Sequence, residues 1–259
     1  MAETSLATAL AIQRRVIGAL LLREVITRYG RHGFGMLWLI FEPMLFTLTI
    51  TAVWYLIRGD KVSDISIVAF AITGFSSFRL WSSAANQCSK AISANQNLLY
   101  HRNVKVIDIF ISRVLLELVG STASFAILTT VFAFVGAMDW PRDLVPVLGG
   151  WLLLCWFGLA LGFVVGALSE RIEAFMRIWQ VINRVLFFVS GTFFMVHWLP
   201  EAVQEIILWL PMVHGVEMVR HGYFGDMIPT YENPGYFAAV NLTLTLIGLV
   251  LVRQSSRGV

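Results

Sequence analysis

Charge is the scarcest ingredient of this chain. Only 14% of its 259 residues are Asp, Glu, Lys or Arg, against 58% hydrophobic, and the mean hydropathy is +0.75. A soluble domain carries about a quarter charged residues and nearer half apolar ones, so an ordinary domain folding in water is excluded. Cysteine is almost absent too: Cys88 and Cys155 lie far apart, each within or beside an apolar run. That placement excludes a disulfide framework and fits no zinc spacing. Also missing are G-x-x-x-x-G-K-[ST], G-x-S-x-G and any catalytic-cysteine context. The chain therefore has no phosphate loop with which to hydrolyse ATP and no recognisable hydrolase nucleophile. The tripeptide Asn241-Leu242-Thr243 sits inside an apolar run and is no useful glycosylation signal.

What the chain has in abundance is long apolar sequence. A hydrocarbon core of roughly 30 Å is crossed by about 20 apolar helical residues, and six runs qualify: 36–57, 65–85, 109–137, 144–168, 178–196 and 236–252. They are apolar on all sides rather than alternating, which favours helices over a barrel. The expectation is an all-α polytopic membrane protein of six spans and one domain, with no separate soluble part. Residues 1–35 form a cytoplasmic or interfacial helix, 36–196 five spans, 197–235 a re-entrant hairpin outside, and 236–259 the last span with a cytoplasmic tail.

Positive residues stay cytoplasmic, and their distribution is lopsided. With the N-terminus inside, the inner segments hold Arg14, Arg15, Arg23, Arg28, Arg31, Lys90, Arg102, Lys105, Arg171, Arg177, Arg253 and Arg257, leaving Arg58, Lys61, Arg142 and Arg220 outside. Both termini and the 86–108 and 169–177 loops are then cytoplasmic. The first apolar run begins too late and runs too long for a cleaved signal peptide. Before it, Leu6, Leu10, Ile17, Leu20 and Leu21 recur at helical spacing among arginines and Glu24, which reads as a basic amphipathic helix on the headgroups. Gly30, Gly33 and Gly35 would loosen the chain where it turns into the bilayer.

Ionisable residues inside spans face a bundle interior or a water-filled path, because they cost at least about 2.5 kcal/mol at the bilayer centre. The candidates are Glu42, Arg79, Arg113, Glu117 and Arg184. Arg113 and Glu117, four apart, can neutralise each other. Glu42 precedes Pro43, which marks a bend, and Arg79 or Arg184 would be its partner. Arg79 stands among Ser76, Ser77, Trp81, Ser82, Ser83, Asn86 and Gln87; this polar stripe serves either a solute path or helix packing. Gly158, Gly162 and Gly166 fall on one face and permit close helix contact.

The segment 197–224 is cut by Pro200 and Pro211 into pieces below spanning length, as expected of re-entrant helices lining or capping a passage. His214, Glu217 and His221 share a face, but not with the spacing of H-E-x-x-H, so no metal site is expected. Local contacts of Glu217 with Arg220 or His221 are expected instead.

Three stretches carry a resemblance: LLREVITRYGRHGFGMLWLIFEP, ANQNLLYHRNVKVIDIFISRVLLE and WLPMVHGVEMVRHGYF. They resemble the inner-membrane permeases of bacterial capsular-polysaccharide exporters in the ABC-2 family, from about residue 15 to the C-terminus; the third departs at Leu210, where the family has Asn. The resemblance implies a homodimer of six-span subunits with two copies of a separate ATPase, which holds the ATP and Mg, and no cofactor on this chain. It implies an ATPase-coupling helix over Ile92, Asn95, Asn97, Leu98, Leu99 and Tyr100, trailed by His101, Arg102 and Lys105. It further implies a lipid-linked, often acidic polysaccharide as cargo, periplasmic export partners, and no nucleic acid. Arg28 and Arg31 would hold a gate helix near the cargo's phosphate, and Trp38, Glu42, Arg79, Trp81, Arg184 and Phe187 are candidates for its path. The same family exports O antigen, teichoic acids and small drugs; a lipid-modifying enzyme using Glu42, His214 and Glu217 is the reading from another class. A gradient-driven transporter is disfavoured, since the halves show no matching broken helices.

Overall fold

The computed structural model describes residues 6–30, 33–59, 61–62, 65–96 and 104–255. Among these, nearly everything is helical: α1 (Leu6–Tyr29), α2 (Gly33–Arg58), α3 (Ile67–Ser89), α4 (Val106–Val135), α5 (Leu144–Arg171), α6 (Phe175–Val189), α7 (Glu201–Ile207), α8 (Pro211–Phe224) and α9 (Pro234–Ser255). A short antiparallel pair, β1 (Lys61–Val62) with β2 (Ile65–Ser66), joins α2 to α3 in the register Lys61 opposite Ser66.

Four helices, α2, α4, α5 and α9, are long and apolar enough to cross a membrane, and the bent pair α7 with α8, turning through 108°, makes a fifth candidate. This is fewer than the six expected, for two physical reasons. The second run became α3, long enough at 23 residues but diluted by Thr73, Arg79, Asn86, Gln87 and its serines. The fifth run became α6, only 15 residues or about 22 Å at 1.5 Å per residue, because the chain leaves the helix at Ser190.

α3 is the axis of the bundle. Almost its whole length is buried, and Phe70, Ile72, Phe75, Leu80 and Trp81 are fully so. The glycine ridge of α5 makes this approach possible: a Cβ at Gly158 would stand 3.0 Å from Trp81 Cα, and one at Gly166 would stand 2.6 Å from the Phe110 ring and 3.0 Å from the Cys88 carbonyl. The expected packing role of these glycines is met. Part of the polar stripe of α3 is used in packing. Ser82 Oγ donates to Asn183 Oδ1 at 2.9 Å, and Trp179 Nε1 donates to Asn86 Oδ1 at 2.7 Å, so α6 docks through hydrogen bonds that lipid cannot supply.

The loops segregate to two ends. At one, Ser66 Oγ donates to the Ala137 carbonyl at 2.8 Å, the Asp143 amide to the Gly222 carbonyl at 2.9 Å, and Tyr223 Oη to the Asp139 carbonyl at 2.5 Å. At the other, Arg23 Nη1 donates to Asn95 Oδ1 at 2.6 Å, and Arg171 Nη2 to the Leu251 carbonyl at 3.1 Å.

α1 is present, and its one-sided amphipathic character is not. The face turned to the protein mixes Leu20 with Glu24, both buried, and with Arg28; the open face mixes Leu10, Leu22 and Ile26 with Arg14, Arg15 and Arg23. The expected periodicity fails because charged side chains of α1 are needed inward, by ion-pair partners in α4. Gly30, at φ +81°, ends the helix in a conformation suited to glycine.

Candidate functional site

Three constellations gather the chemistry. The first fastens α1. Glu24 accepts from Arg28 Nε at 2.7 Å within the helix and from Arg113 Nη2 at 3.2 Å on α4, while Arg28 Nη1 reaches Glu117 Oε1 at 2.5 Å. Arg113 and Glu117 therefore do not neutralise each other, as the spacing implied; each pairs with α1. Arg113 Nη1 also donates to the Gln87 carbonyl at 3.0 Å, tying α3 into the cluster. All four side chains are largely shielded, a setting in which breaking one partner is costly. Glu24 is the member that sequence reasoning overlooked; its signal was the i, i+4 spacing to Arg28.

Of the expected coupling segment, Ile92 and Asn95 are described, and both are buried. Asn95 receives Arg23 and itself donates to the Ala91 carbonyl at 2.8 Å. Asn97, Leu98, Leu99, Tyr100, His101 and Arg102 lie outside the described residues, as does Arg31.

The second constellation lies on α2, α3 and α6. Arg79 Nη2 donates to Glu42 Oε1 at 2.6 Å, which selects Arg79 over Arg184 as the partner of Glu42. The Arg79 guanidinium also stands 5.9 Å from the Phe46 ring. Beyond it runs an aromatic seam: Phe187 meets Phe78 and Phe193, each at 4.8 Å between centroids, and Phe193 meets Trp54 at 5.9 Å. Trp38, Glu42, Arg184 and Phe188 are exposed on the same subunit, and Arg184 has no ion pair among the described residues. Trp81 is not part of this surface. It is fully buried against Phe78 and Phe157, so it packs the bundle and offers nothing to a solute. Pro43 lies within α2, which continues to Arg58.

The third constellation holds α8 and the segment that leads from α6 to the bent α7–α8 pair. Between α6 and α7 the chain leaves the α-helix, with a 3-10 turn at Val196–Trp198, and its carbonyls need donors if buried. Arg220 of α8, fully buried, supplies them: Nη1 donates to Gly191 and Phe194 oxygens at 2.6 and 2.7 Å, and Nη2 to Thr192 at 3.2 Å. Its guanidinium covers the Phe70 ring at 4.2 Å and stands 4.0 Å from Glu217, the local contact expected. Glu217 Oε1 accepts from the Val196 amide at 3.5 Å. Gly74 makes room; a Cβ there would lie 2.7 Å from Arg220 Nη2.

His214, Glu217 and His221 do not converge. His214 Nε2 donates to the Leu208 carbonyl at 2.9 Å and Nδ1 accepts from the Asn233 amide at 3.1 Å, whereas His221 turns to Glu232. Outside the spanning segments, burial alone would raise the Glu232 carboxyl, but hydrogen bonds from His221 and Thr230 outweigh it and hold the group below its usual range. Among the described residues no cluster of His, Cys, Asp and Glu could hold a metal ion.

A helical membrane bundle with buried ion pairs, a sharply bent pair of short helices and no nucleotide motif has the character of a transporter's membrane subunit. The family comparison agrees: residues 15–224 match the ABC-2 type transporter model, and the chain belongs to that family. Over 257 residues, covering 99% of this chain and 97% of the relative, it is 46% identical to the capsule polysaccharide export inner-membrane protein BexB of Haemophilus influenzae. It is equally similar, over the same shares, to the capsule polysaccharide export inner-membrane protein CtrC of Neisseria meningitidis serogroup B. The polysialic acid transport protein KpsM of Escherichia coli is 30% identical over 242 residues, 93% of this chain and 94% of its own length.

Proposed function

We propose that this chain is the membrane permease of an ATP-driven exporter that moves a lipid-linked capsular polysaccharide across the bacterial inner membrane. The observation that carries this reading is the 46% identity to capsule export proteins along nearly the whole of both chains. In it, α3 and α6 cross the membrane beside α2, α4, α5 and α9, giving six spans with both termini cytoplasmic. The segregation of loops supports that count: β1–β2, the 136–143 loop and the re-entrant hairpin meet at one end, while Asn95, Arg171 and the end of α9 lie at the other.

The active unit is a homodimer with two copies of a separate ATPase, which binds ATP and Mg at its own sites. The exposed charge of Arg184, which has no ion pair among the described residues, supports a second copy: facing lipid it would cost a few kcal/mol, whereas facing an aqueous path between subunits it would not. That path runs along α2 and α6, with Arg79, Arg184 and Phe187 toward an acidic glycan and Trp38 at its edge. Arg28 and Arg31 anchor α1 at the cytoplasmic entrance, and residues 92–100, followed by His101 and Arg102, receive the ATPase. The α7–α8 hairpin caps the periplasmic end, where export partners take the polymer onward, and nucleic acid plays no part. Among cargoes of the wider family, the near-full-length capsule relatives favour capsular polysaccharide over O antigen or teichoic acid. The lipid-modifying enzyme loses its site, because Glu42 is paired with Arg79 on α3 while His214 and Glu217 are engaged on α8.

Co-expression with the ATPase from the same organism, purification through a tag on this chain and ATP hydrolysis in lipid nanodiscs test the reading. A co-purifying ATPase whose activity falls when residues 92–100 are altered is expected. Failure to capture it, or normal surface polysaccharide in cells lacking this chain, refutes the proposal.

A further inference from the structure

We propose that the groove between α1 and α4 is a binding site for one resident anionic glycerophospholipid, with an acyl chain in the groove and the phosphate on Arg14. The groove has a volume of about 550 Å³ and is walled by Ile17 and Leu21 of α1 and Ile111 of α4, with Arg14 and Gln13 at the rim. That volume lies within the roughly 300–1,000 Å³ of small-molecule sites. Gly18, itself exposed, also lines it, and a Cβ there would meet nothing within 4 Å.

Depth and charge fix the kind of ligand. α4 has 30 residues, about 45 Å of helix against a hydrocarbon core of roughly 30 Å, so its second turn, which carries Ile111, lies at the boundary between headgroups and acyl chains. An apolar slot with a cation on its lip at that depth matches a lipid tail joined to a phosphate. Arg14 and its neighbour Arg15 are exposed and have no ion pair among the described residues, unlike Arg28 and Arg113 deeper in the same interface. The nearby acid does not oppose an anion at the rim: Asp108 is buried and turned inward, accepting from Gln13 Nε2 at 2.9 Å and from the Lys105 amide at 3.1 Å. The inference uses the proposed orientation only to assign the cytoplasmic leaflet, where basic segments meet anionic lipid.

The test is native mass spectrometry of the full-length, delipidated chain titrated with dioleoyl phosphatidylglycerol or dioleoyl phosphatidylcholine. One tightly held lipid per chain is expected, with the anionic lipid favoured roughly fivefold, the share of one arginine at a membrane surface. Gly18→Trp, at an open position, should abolish that adduct, and Arg14→Gln should keep it but erase the headgroup preference. Ile12→Trp, on the exposed side of α1 away from the groove, should bind as the unmodified chain does. Undiminished binding by Gly18→Trp, equal binding of the two lipids by the unmodified chain, or an equal loss in Ile12→Trp overturns the proposal. The readout is bound lipid, so failure of the capsule-export reading would appear in the capsule assay and leave these outcomes intact.

Discussion

Arg220→Ala is the sharpest perturbation the structure offers. The guanidinium donates to the Gly191, Thr192 and Phe194 carbonyls and faces Glu217, with both charged side chains fully buried. Removing it leaves the three oxygens without this donor and the carboxylate without a counter-charge. Breaking a buried ion pair from one side costs about 3–5 kcal/mol, and each orphaned buried acceptor adds up to about 1–3 kcal/mol where water cannot enter. Interhelical hydrogen bonds in membranes average nearer 0.6 kcal/mol, so the total should stay close to the ion-pair figure, about 3–5 kcal/mol. At roughly 2–4 °C per kcal/mol for a chain of this size, the midpoint should fall by about 10 °C in a thermal-unfolding assay on purified protein. Arg220→Lys should lose most of the same stability, since a point charge lacks the fork that reaches three carbonyls. Glu217→Gln keeps an acceptor for the Val196 amide and should cost much less. A fall of under about 2 °C for Arg220→Ala, or one no larger than that of Glu217→Gln, would refute the account of this residue as the clamp on the break between α6 and α7.

Other outcomes follow from the remaining contacts. Glu24→Ala leaves Arg113 and Arg28 short of their shared carboxylate and should destabilise by about 3 kcal/mol; a smaller loss in the double variant Glu24→Ala/Arg113→Met, measured by the same thermal assay, would establish the coupling across α1 and α4. Gly166→Val drives a side chain into Phe110 and the Cys88 carbonyl and should cost about 1–3 kcal/mol as overpacking, read as a lowered midpoint. Arg79→Gln and Arg184→Gln should impair export of an acidic polymer more than a neutral one at equal protein levels, and equal effects would count against the proposed path. Glu232 has a depressed carboxyl, so its contribution is complete above the unfolded value near 4.5 and is lost as pH falls through the lower folded value. Glu232→Gln should remove that part of the acid-side loss of stability, read from the midpoint's dependence on pH below the usual carboxylate range.

Much of this protein is written locally. Apolar length alone picks out α2, α4, α5 and α9, because a run of oily residues has few alternatives to a helix in lipid. Proline alone marks the bend that becomes α7 and α8, since Pro211 cannot continue the preceding turn and starts the next helix well. The i, i+4 glycines of α5 announce a close helix contact whoever the neighbour is. Partner choice was settled elsewhere, by the tertiary structure. Periodicity placed Arg113 and Glu117 on one face and made them look like a pair, yet each had a better partner on α1, some ninety positions away in the chain. The serines of α3 read equally well as a solute path or as packing; only the approach of α6 put Asn183 and Trp179 against that stripe. Trp81 looked like a surface for sugar until the glycines of α5 brought a helix down on it. Arg220 showed nothing beyond a nearby Glu217, because the carbonyls it satisfies belong to a break in another element. Sequence determines which segments must leave water, a property of short windows; which charges meet inside the bundle depends on long-range packing that no window contains.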